Sequence, residues 1–562
     1  MKKLHPVHIL SLFYYLCTNH VRPTMKKSII AAAVSLLAAF SVSDAKVRLP
    51  SVLGDGMVIQ RERPIEIWGW ADVGEGFTIR WQDSSYPVKA GNDGRWQITL
   101  PQTQAGGPYS MTIGDIKLND ILVGDVFLCS GQSNMELPVR RVTDMFAEEV
   151  AAYENNLIRQ YIVPDTFDFT APQEDTPQSL WKSCTAENVM EFSALAYFYA
   201  KYIYEGTGVP VGIVNCCWGG TPVEAWTSEE ALKDFPMHIN EKRLYEDPGY
   251  CERIKKLEGE DFHRWDTALY AGDPGMQEEV KWFETDYDDS SWTETDMFSE
   301  SWGNDGLNPQ GGSHWLRKDV EIPEGWEGKE AVLRLGCIVD ADSVYVNGHF
   351  TGTTSYQYPP RIYSIPSGIL KAGHNNITVR VISNGGQPHF VPEKPYKIIC
   401  CGEEVSLEGR WKYRLGAPMP KAPEMMFFCY KPVCLYNAMI HPLKNLGFTG
   451  VLWYQGESNV DRRNEYADLL TAMIGCWRGT FNDNDLPVYI VELADFLHKD
   501  DVSGRAAWAE MRIQQAKAAK MNRNTTLIKN SDLGEWNDIH PLDKKTLGHR
   551  AAEAALKDIE NN

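Results

Sequence analysis

The 562-residue sequence lacks the signatures of a zinc enzyme, since it has neither a C-x-x-C nor an H-E-x-x-H motif. It also lacks a run of lysines and arginines, and its net charge of −21 opposes binding to nucleic-acid phosphates. The apolar run at residues 29–40 is shorter than the about 20 residues that a membrane span requires. The sequence therefore predicts no metal site, no nucleic-acid partner and no membrane anchor.

Cysteine and tryptophan contents carry further information. An odd number of cysteines, 11, follows residue 45, and two adjacent pairs occur, Cys216-Cys217 and Cys400-Cys401. This pattern does not indicate a disulfide framework. The 18 tryptophans could bind sugar rings, but we interpret them mainly as core residues of β-rich domains.

The N-terminal residues resemble a targeting signal more than a folded segment. Lys26 and Lys27 follow Met25, the apolar run comes next, and Ser43 and Ala45 have the spacing of a cleavage site. We therefore predict a signal peptide over residues 25–45. Residues 1–24 are interpreted as a mis-assigned start, and the mature protein is predicted to be exported to the periplasm or the cell exterior.

Changes in sequence pattern divide the remaining chain into four segments. Residues 46–120 consist of short alternating runs separated by turn residues, which predicts a small antiparallel β domain. Long apolar runs alternate with helical patterns over residues 121–240 and again over 411–562, which predicts an α/β domain. Between these two parts, residues 241–410 return to short alternating strands. The α/β domain is therefore predicted to carry an antiparallel β insertion.

The apolar runs of the α/β segments end in small polar residues, as buried parallel strands do where they deliver loops to an active-site edge. Helical patterns separate them, so a parallel sheet covered by helices is expected. The predicted strands lie within residues 121–134, 211–220, 449–459, 487–493 and 525–534, and the predicted helices at 191–204, 463–478, 504–521 and 544–557.

Two of these strand ends carry a serine two residues after a glycine, in Gly131-Gln132-Ser133-Asn134 and Gly456-Glu457-Ser458-Asn459. A serine at the tip of a buried strand suits an acyl-transfer nucleophile. Neither segment is a G-x-S-x-G elbow, which disfavours an ordinary α/β-hydrolase. Spacing alone does not choose between Ser133 and Ser458, and either could instead cap the following turn.

A serine nucleophile needs a base and an oxyanion site. His540 lies between a predicted strand and a predicted helix, which places it at the same sheet edge as the serines. His441 and His549 are weaker candidates, because the first precedes a helix and the second lies within one. The turn at Gly219-Gly220 offers backbone N–H groups for a developing oxyanion.

Four segments in this order, FLCSGQSNME, NCCWGGTPVEAW, LWYQGESN and NDIHP, resemble the sialate O-acetylesterase family of SGNH-type hydrolases. The resemblance covers essentially the whole mature chain. It implies a flavodoxin-like, three-layer parallel-sheet hydrolase domain with a jelly-roll-like β-sandwich insertion. It also implies Ser133 as the nucleophile and His540 as the base. The oxyanion donors would be the N–H groups of Ser133 and Gly219 and the amide of Gln455, and Ser458 would then be structural.

One departure from the family pattern concerns the group that orients the histidine. The usual last motif is D-x-x-H, but position 537 is asparagine and the aspartate is Asp538, two residues before His540. Either Asp538 adapts to this offset, or a backbone carbonyl orients the imidazole and the site acts as a serine–histidine dyad.

The resemblance implies hydrolysis of acetyl esters on sugar hydroxyls through an acetyl-enzyme, without a metal or organic cofactor. The expected substrates are O-acetylated sialic acids, with acetylated plant polysaccharides such as xylan as the alternative. Because sialic acid is anionic and the protein acidic, local arginines would have to compensate, and Arg462 and Arg463 are candidates.

A second interpretation is a secreted carbohydrate-binding protein without catalytic activity. It would use aromatic residues of the β insertion, for which the candidates are Trp315, Trp326, Tyr345 and Tyr356.

Overall fold

A computed structural model describes residues 47–299, Trp302 and residues 311–561. The predicted signal peptide and the predicted start at Met25 lie outside the described residues. Contacts divide the described chain into two compact units, of which the smaller comprises residues 47–49, 68–98 and 110–118, and the larger comprises the rest. Within the described ranges, no helix has the length and apolar character needed to traverse a lipid bilayer.

The first strands are short and mostly antiparallel. They are β1 (Val47–Arg48), β2 (Val58–Gln60), β3 (Ile65–Ala71), β4 (Gly76–Trp81), β5 (Ser84–Lys89), β6 (Arg95–Leu100) and β7 (Gly106–Ile113). Strands β1, β3 and β6 form a three-stranded sheet, and β4 pairs with β5 and β7. Alternation along β4 buries Ile79 and Trp81 and exposes Arg80, as expected for a sheet with one covered face.

The first part of the α/β region contains four strands and the helices that connect them. Its elements are β8 (Ile116–Gly131), α1 (Ser133–Glu136), α2 (Thr143–Ala151), β9 (Asn155–Ile162), β10 (Trp181–Cys184), α3 (Ala194–Thr207) and β11 (Val211–Cys217). Strands β9 and β10 were not anticipated from the sequence. Helix α3 begins at a capping serine, Ser193, whose hydroxyl accepts the N–H of Ala196, and ends at the left-handed Gly208.

The middle region begins with helices, although the sequence pattern predicted strands from residue 241. The helices are α4 (Pro236–Tyr245), α5 (Pro248–Gly272) and α6 (Pro274–Gln277). A proline occupies the first turn of each, where its missing N–H costs no hydrogen bond.

Antiparallel strands follow these helices and extend to Met419. They are β12 (Thr293–Asp296), β13 (Gly311–Ile322), β14 (Ala331–Leu335), β15 (Ile338–Val339), β16 (Ala341–Val346), β17 (His349–Thr354), β18 (Ile362–Ile365), β19 (Gly373–Ser383), β20 (His389–Phe390), β21 (Tyr396–Cys400), β22 (Glu403–Ser406) and β23 (Arg410–Met419). A six-stranded sheet of order β12-β23-β13-β19-β16-β17 and a four-stranded sheet of order β18-β14-β21-β22 contribute to one apolar core, with Leu316 and Val379 from the first sheet and Leu333 and Ile398 from the second. We refer to residues 293–419 as the β insertion.

The chain then returns to the α/β region. The last elements are β24 (Gly450–Tyr454), α7 (Tyr466–Thr480), β25 (Val488–Val491), α8 (Val502–Met521), β26 (Thr525–Ile528) and α9 (Lys544–Asn561). The four predicted helices of the α/β segments each overlap an observed helix, because their apolar positions recur at helical spacing.

The central sheet has the order β10-β9-β11-β8-β24-β25-β26, and all neighbours are parallel except the β10/β9 pair. Phe127 on β8 packs against Tyr199 of α3, and Trp453 on β24 packs against Trp477 of α7. Because Phe127 is in register with Gly450, and side chains alternate along a strand, Trp453 faces the opposite side of the sheet. The sheet therefore lies between two helical layers, as the α/β prediction requires.

Candidate active site

The strand ends of the central sheet set the position of the candidate nucleophile. Gly131, the last residue of β8, pairs with Cys217 on β11 and with Tyr454 on β24. The three parallel strands therefore end at the same level of the sheet. A Cβ on Gly131 would lie 2.0 Å from the carbonyl oxygen of Tyr454, and φ is +138°, so the turn into Ser133 requires glycine.

Ser133 and His540 are in hydrogen-bond contact. Ser133 is the first residue of α1, and its Oγ lies 2.8 Å from Nε2 of His540. His540 is 7% exposed. Burial, together with the positive charges of Lys544 and Arg141, lowers the pKa of His540 to about 3. The imidazole is therefore neutral at neutral pH and can accept the serine proton.

The second imidazole nitrogen has a carboxylate nearby but no hydrogen bond. Nδ1 of His540 lies 3.9 Å from Oδ1 of Asp538 and has no hydrogen-bond partner among the described residues. Oδ1 of Asp538 instead accepts the backbone N–H of His540 at 2.8 Å. The two-residue spacing thus leaves Asp538 beside the imidazole without a hydrogen bond to it, and no backbone carbonyl of the described residues accepts a hydrogen bond from Nδ1.

The β insertion holds the loop that carries His540. Nζ of Lys394 lies 3.1 Å from Oδ2 of Asp538 and 2.8 Å from a carboxylate oxygen of Glu535. The side chain of Asn537 donates to the carbonyl oxygen of Pro392 at 2.6 Å. Position 537, where the family pattern has aspartate, therefore contacts the insertion and not the histidine.

The insertion also places an aromatic ring against the base. The ring of Tyr358 meets the His540 ring edge to face, with centroids 5.4 Å apart, and Tyr356 contacts Tyr358 in the same way at 6.4 Å. Arg361, which is fully buried, fixes this loop by donating to the carbonyl oxygens of Gln357 and Pro359. Tyr356 and Tyr358 are 55% and 39% exposed and form an accessible wall beside the site.

Gly219, a candidate oxyanion donor, lies next to Ser133, the candidate nucleophile. A Cβ on Gly219 would lie 3.5 Å from Cβ of Ser133 and 3.0 Å from Oε2 of Glu136. The pKa of Glu136 is raised overall, mainly by desolvation in the cleft and also by the carboxylate of Asp165. A hydrogen bond from the N–H of Gly219 to the Glu136 carboxylate opposes part of this rise. Glu136 was not anticipated from the sequence, where it is only the residue that ends the SNME segment.

Gln455 does not face the solvent at this edge. It is fully buried, and its amide nitrogen lies 2.7 Å from Oδ1 of Asn459 and 3.2 Å from the carbonyl oxygen of Thr221. Its Oε1 accepts from the hydroxyl of Tyr466 at 3.0 Å. Both amide hydrogens thus have protein acceptors, so a role in oxyanion binding would require one of these bonds to break.

The remaining candidate residues have local partners. Ser458 donates to the carbonyl oxygen of Gly220 at 2.7 Å. Nδ1 of His441 lies 2.8 Å from the carbonyl oxygen of Gln173. His549 lies on α9 with its Nδ1 3.8 Å from a carboxylate oxygen of Glu553. These contacts support structural roles.

Most of the aromatic residues proposed to bind sugars are buried against neighbouring side chains. Trp315 and Trp326 are at most 1% exposed, and Tyr345 stacks on Phe283 with ring centroids 4.2 Å apart. Tyr356 is the exposed member of the four. Most tryptophans of the chain are likewise buried, which fits their interpretation as core residues.

The candidate substrate arginines are already paired with carboxylates. Arg462 forms an ion pair with Glu224, and Nε of Arg463 lies 2.6 Å from a carboxylate oxygen of Glu510. A different arginine is near the base. Arg141 acts electrostatically on His540, and its buried Nε has no hydrogen-bond partner within the described part of the chain.

Comparison with known proteins identifies a related family. A family model described as carbohydrate esterase, sialic acid-specific acetylesterase, matches residues 123–257 and 427–557. These segments contain Ser133, Gly219, Gln455 and His540, and the unmatched residues between them contain the β insertion.

Individual relatives extend over more of the chain. Sialate O-acetylesterase of Rattus norvegicus is 29% identical over 543 residues, which cover 90% of this chain and 72% of the relative. The protein of that name from Homo sapiens is 29% identical over 209 residues, 33% of this chain and 40% of the relative. A carbohydrate acetylesterase structure from Xanthomonas citri superimposes with a TM-score of 0.54 at 24% identity, covering 92% of this chain and 76% of the other. That likeness shows a shared fold.

Proposed function

Because the chain belongs to the carbohydrate-esterase family of sialic acid-specific acetylesterases, we propose that it removes acetyl groups from sugar hydroxyls with Ser133 as the nucleophile. The observation that carries this proposal is the 2.8 Å contact between Oγ of Ser133 and Nε2 of His540 at the carboxyl edge of the parallel sheet. A neutral imidazole in that position is ready to act as a general base.

The reaction proceeds in two steps. His540 takes the proton of Ser133 as Oγ attacks the acetyl carbonyl carbon, and the imidazolium then donates that proton to the departing sugar oxygen. This leaves an acetyl group on Ser133. In the second step His540 deprotonates a water molecule, which attacks the acetyl carbonyl, and the proton returns to Oγ as acetate leaves.

The oxyanion that forms in each step is held by backbone N–H groups. The N–H of Ser133 lies at the start of α1, and Gly219, the second donor, is adjacent to Ser133, since a Cβ on it would lie 3.5 Å from Cβ of Ser133. Glu136 bonds to the N–H of Gly219 in the free protein, so substrate binding displaces this carboxylate. Gln455 becomes a third donor only if it releases one of its buried acceptors.

The proposed substrates are sugars with an acetyl ester, and O-acetylated sialic acids are the first choice because of the family. Arg141 supplies positive charge next to His540 for such an anionic sugar. The carboxylate of Glu136 beside Gly219 favours the alternative of a neutral acetylated polysaccharide such as xylan.

Acetate release from natural acetylated glycans tests the proposal. The wild-type protein is expected to release acetate from O-acetylated sialic acid faster than from acetylated xylan, and the Ser133→Ala variant from neither. Failure of the wild-type protein to cleave any acetyl ester, including an activated aryl acetate, would overturn the proposed function. Preference for xylan would replace the substrate and keep the reaction.

A further inference from the structure

The side-chain amide of Asn134 joins the turn that carries Ser133 to the segment after β24 and to the loop that carries His540. Its Nδ2 donates to Oε1 of Glu457 at 2.7 Å and to the carbonyl oxygen of Ile539 at 2.9 Å. Its Oδ1 accepts from Nζ of Lys544 at 2.7 Å. Asn134 follows Ser133, and Ile539 precedes His540, so one amide bridges the residues next to the nucleophile and next to the base.

The orientation of this amide is fixed by its partners. A lysine ammonium can only donate, and a carbonyl oxygen can only accept, so Oδ1 must face Lys544 and Nδ2 must face Ile539. Asn134 and Lys544 are each 1% exposed. With both amide hydrogens and the oxygen used, the bridge has a single satisfied arrangement and holds the two loops at a defined separation.

Lys544 is an unusual residue for its position. It is the first residue of α9, where the helix dipole opposes a positive charge. Burial lowers its pKa to about 7, whereas the carboxylates of Glu457 and Asp538 act in the opposite direction. The ring of Tyr454, 5.2 Å from Nζ, adds a cation–π contact. A buried cation next to a catalytic loop is costly to keep, which points to a functional role.

We propose that Asn134 and Lys544 are positioning residues that hold His540 against Ser133, and that the ammonium of Lys544 adds to burial in disfavouring the imidazolium form. This inference rests on the proposed function, because it concerns the same serine–histidine pair. The charged groups that act on His540 are Asp538 on its own loop, Lys544 on α9, and Arg141. Asp538 is in turn paired with Lys394 of the β insertion, which also pairs with Glu535.

The Lys544→Met variant tests both parts with a neutral aryl acetate as the substrate. Its kcat is expected to fall about 30-fold with KM nearly unchanged, because the bridge loses its charged donor. The acid limb of kcat/KM is expected to move up by about one pH unit, because a positive charge that disfavours imidazolium is gone.

The Lys545→Met variant is the matched control. Lys545 is the next residue, is partly exposed and pairs with Glu149, so its loss removes the same charge without touching the bridge. It is expected to retain the wild-type kcat and pH profile. Equal effects of the two variants would overturn the proposal, as would a Lys544→Met protein with a wild-type kcat and acid limb.

A second variant covers the case in which Lys544→Met does not fold. Asn134→Ser removes the bonds to Ile539 and Glu457 without placing a new charge, and a fall of about tenfold or more in kcat is expected. The labelling rate of Ser133 by a fluorophosphonate provides a readout that does not depend on acetyl hydrolysis. It should fall in parallel, and unchanged labelling in a folded variant would overturn the inference. A wild-type protein that is labelled but cleaves no acetyl ester would refute the proposed function alone.

Discussion

Replacing Asp538 with asparagine should reduce activity by less than in a triad whose aspartate is hydrogen-bonded to histidine. Nδ1 of His540 and Oδ1 of Asp538 are 3.9 Å apart, so their interaction is electrostatic. At an effective dielectric constant of about 20, unit charges at this distance attract by about 4 kcal/mol when the imidazolium forms. Complete loss of this attraction corresponds to about 10³-fold in kcat, against about 10⁴-fold for a hydrogen-bonded aspartate.

The asparagine variant isolates the charge, because its Oδ1 can still accept the backbone N–H of His540. Lys394 also keeps its second partner, Glu535. We expect kcat on an aryl acetate to fall between about 30-fold and 10³-fold with KM little changed. Glu535→Gln is the control, since it removes a carboxylate from the same lysine and should have a small effect. A loss below about threefold, or one as large as in the hydrogen-bonded case, would refute the electrostatic role.

Three further outcomes follow from the structure. Arg141→Gln should lower kcat/KM for O-acetylated sialic acid by about tenfold or more and leave kcat/KM for a neutral acetyl ester unchanged. The surface substitution Arg140→Gln is the control. Equal effects of Arg141→Gln on both substrates would exclude a role in anion binding. Because the pKa of His540 is lowered to about 3, kcat/KM should stay level as the pH falls through 6.5, the ordinary histidine value, and an acid limb at that value would contradict the buried imidazole. Arg361→Met should lower the free energy of unfolding in urea by about 3–5 kcal/mol, since it leaves Asp342 buried without its ion pair, and an unchanged midpoint would argue against this pair.

The α/β core was predictable because its elements have strong local patterns. Apolar runs such as the one that ends at Gly131 correspond to buried parallel strands, and the helices that cover them have apolar residues at helical spacing. Strand β10 was missed because its four residues, at the edge of the sheet, carry too short a pattern. Helix α5 was missed because its sequence is largely polar and few of its side chains are buried.

The functional site was predictable only in part. The motifs around Ser133 and His540 identified the pair that the structure brings into contact. The contributions of Lys394 and Tyr358 could not be anticipated, because both residues are far from His540 in the sequence. Their contacts with the loop of His540 depend on how the β insertion packs, for which the sequence carries no local signal. The side-chain amide of Gln455 could donate to an oxyanion, but in the structure it donates to the carbonyl oxygen of Thr221 and to Oδ1 of Asn459. These contacts arise from the tertiary fold, and a short sequence motif does not reveal them.

The central claim is that Ser133 carries the acetyl group during turnover, and mass spectrometry of the intact and digested protein after brief reaction with an activated acetyl ester tests it directly. We predict one added acetyl group on the peptide that contains Ser133, in the wild-type protein and in the Ser458→Ala variant, and none in Ser133→Ala. An acetyl adduct that persists in Ser133→Ala at the wild-type rate would contradict the account.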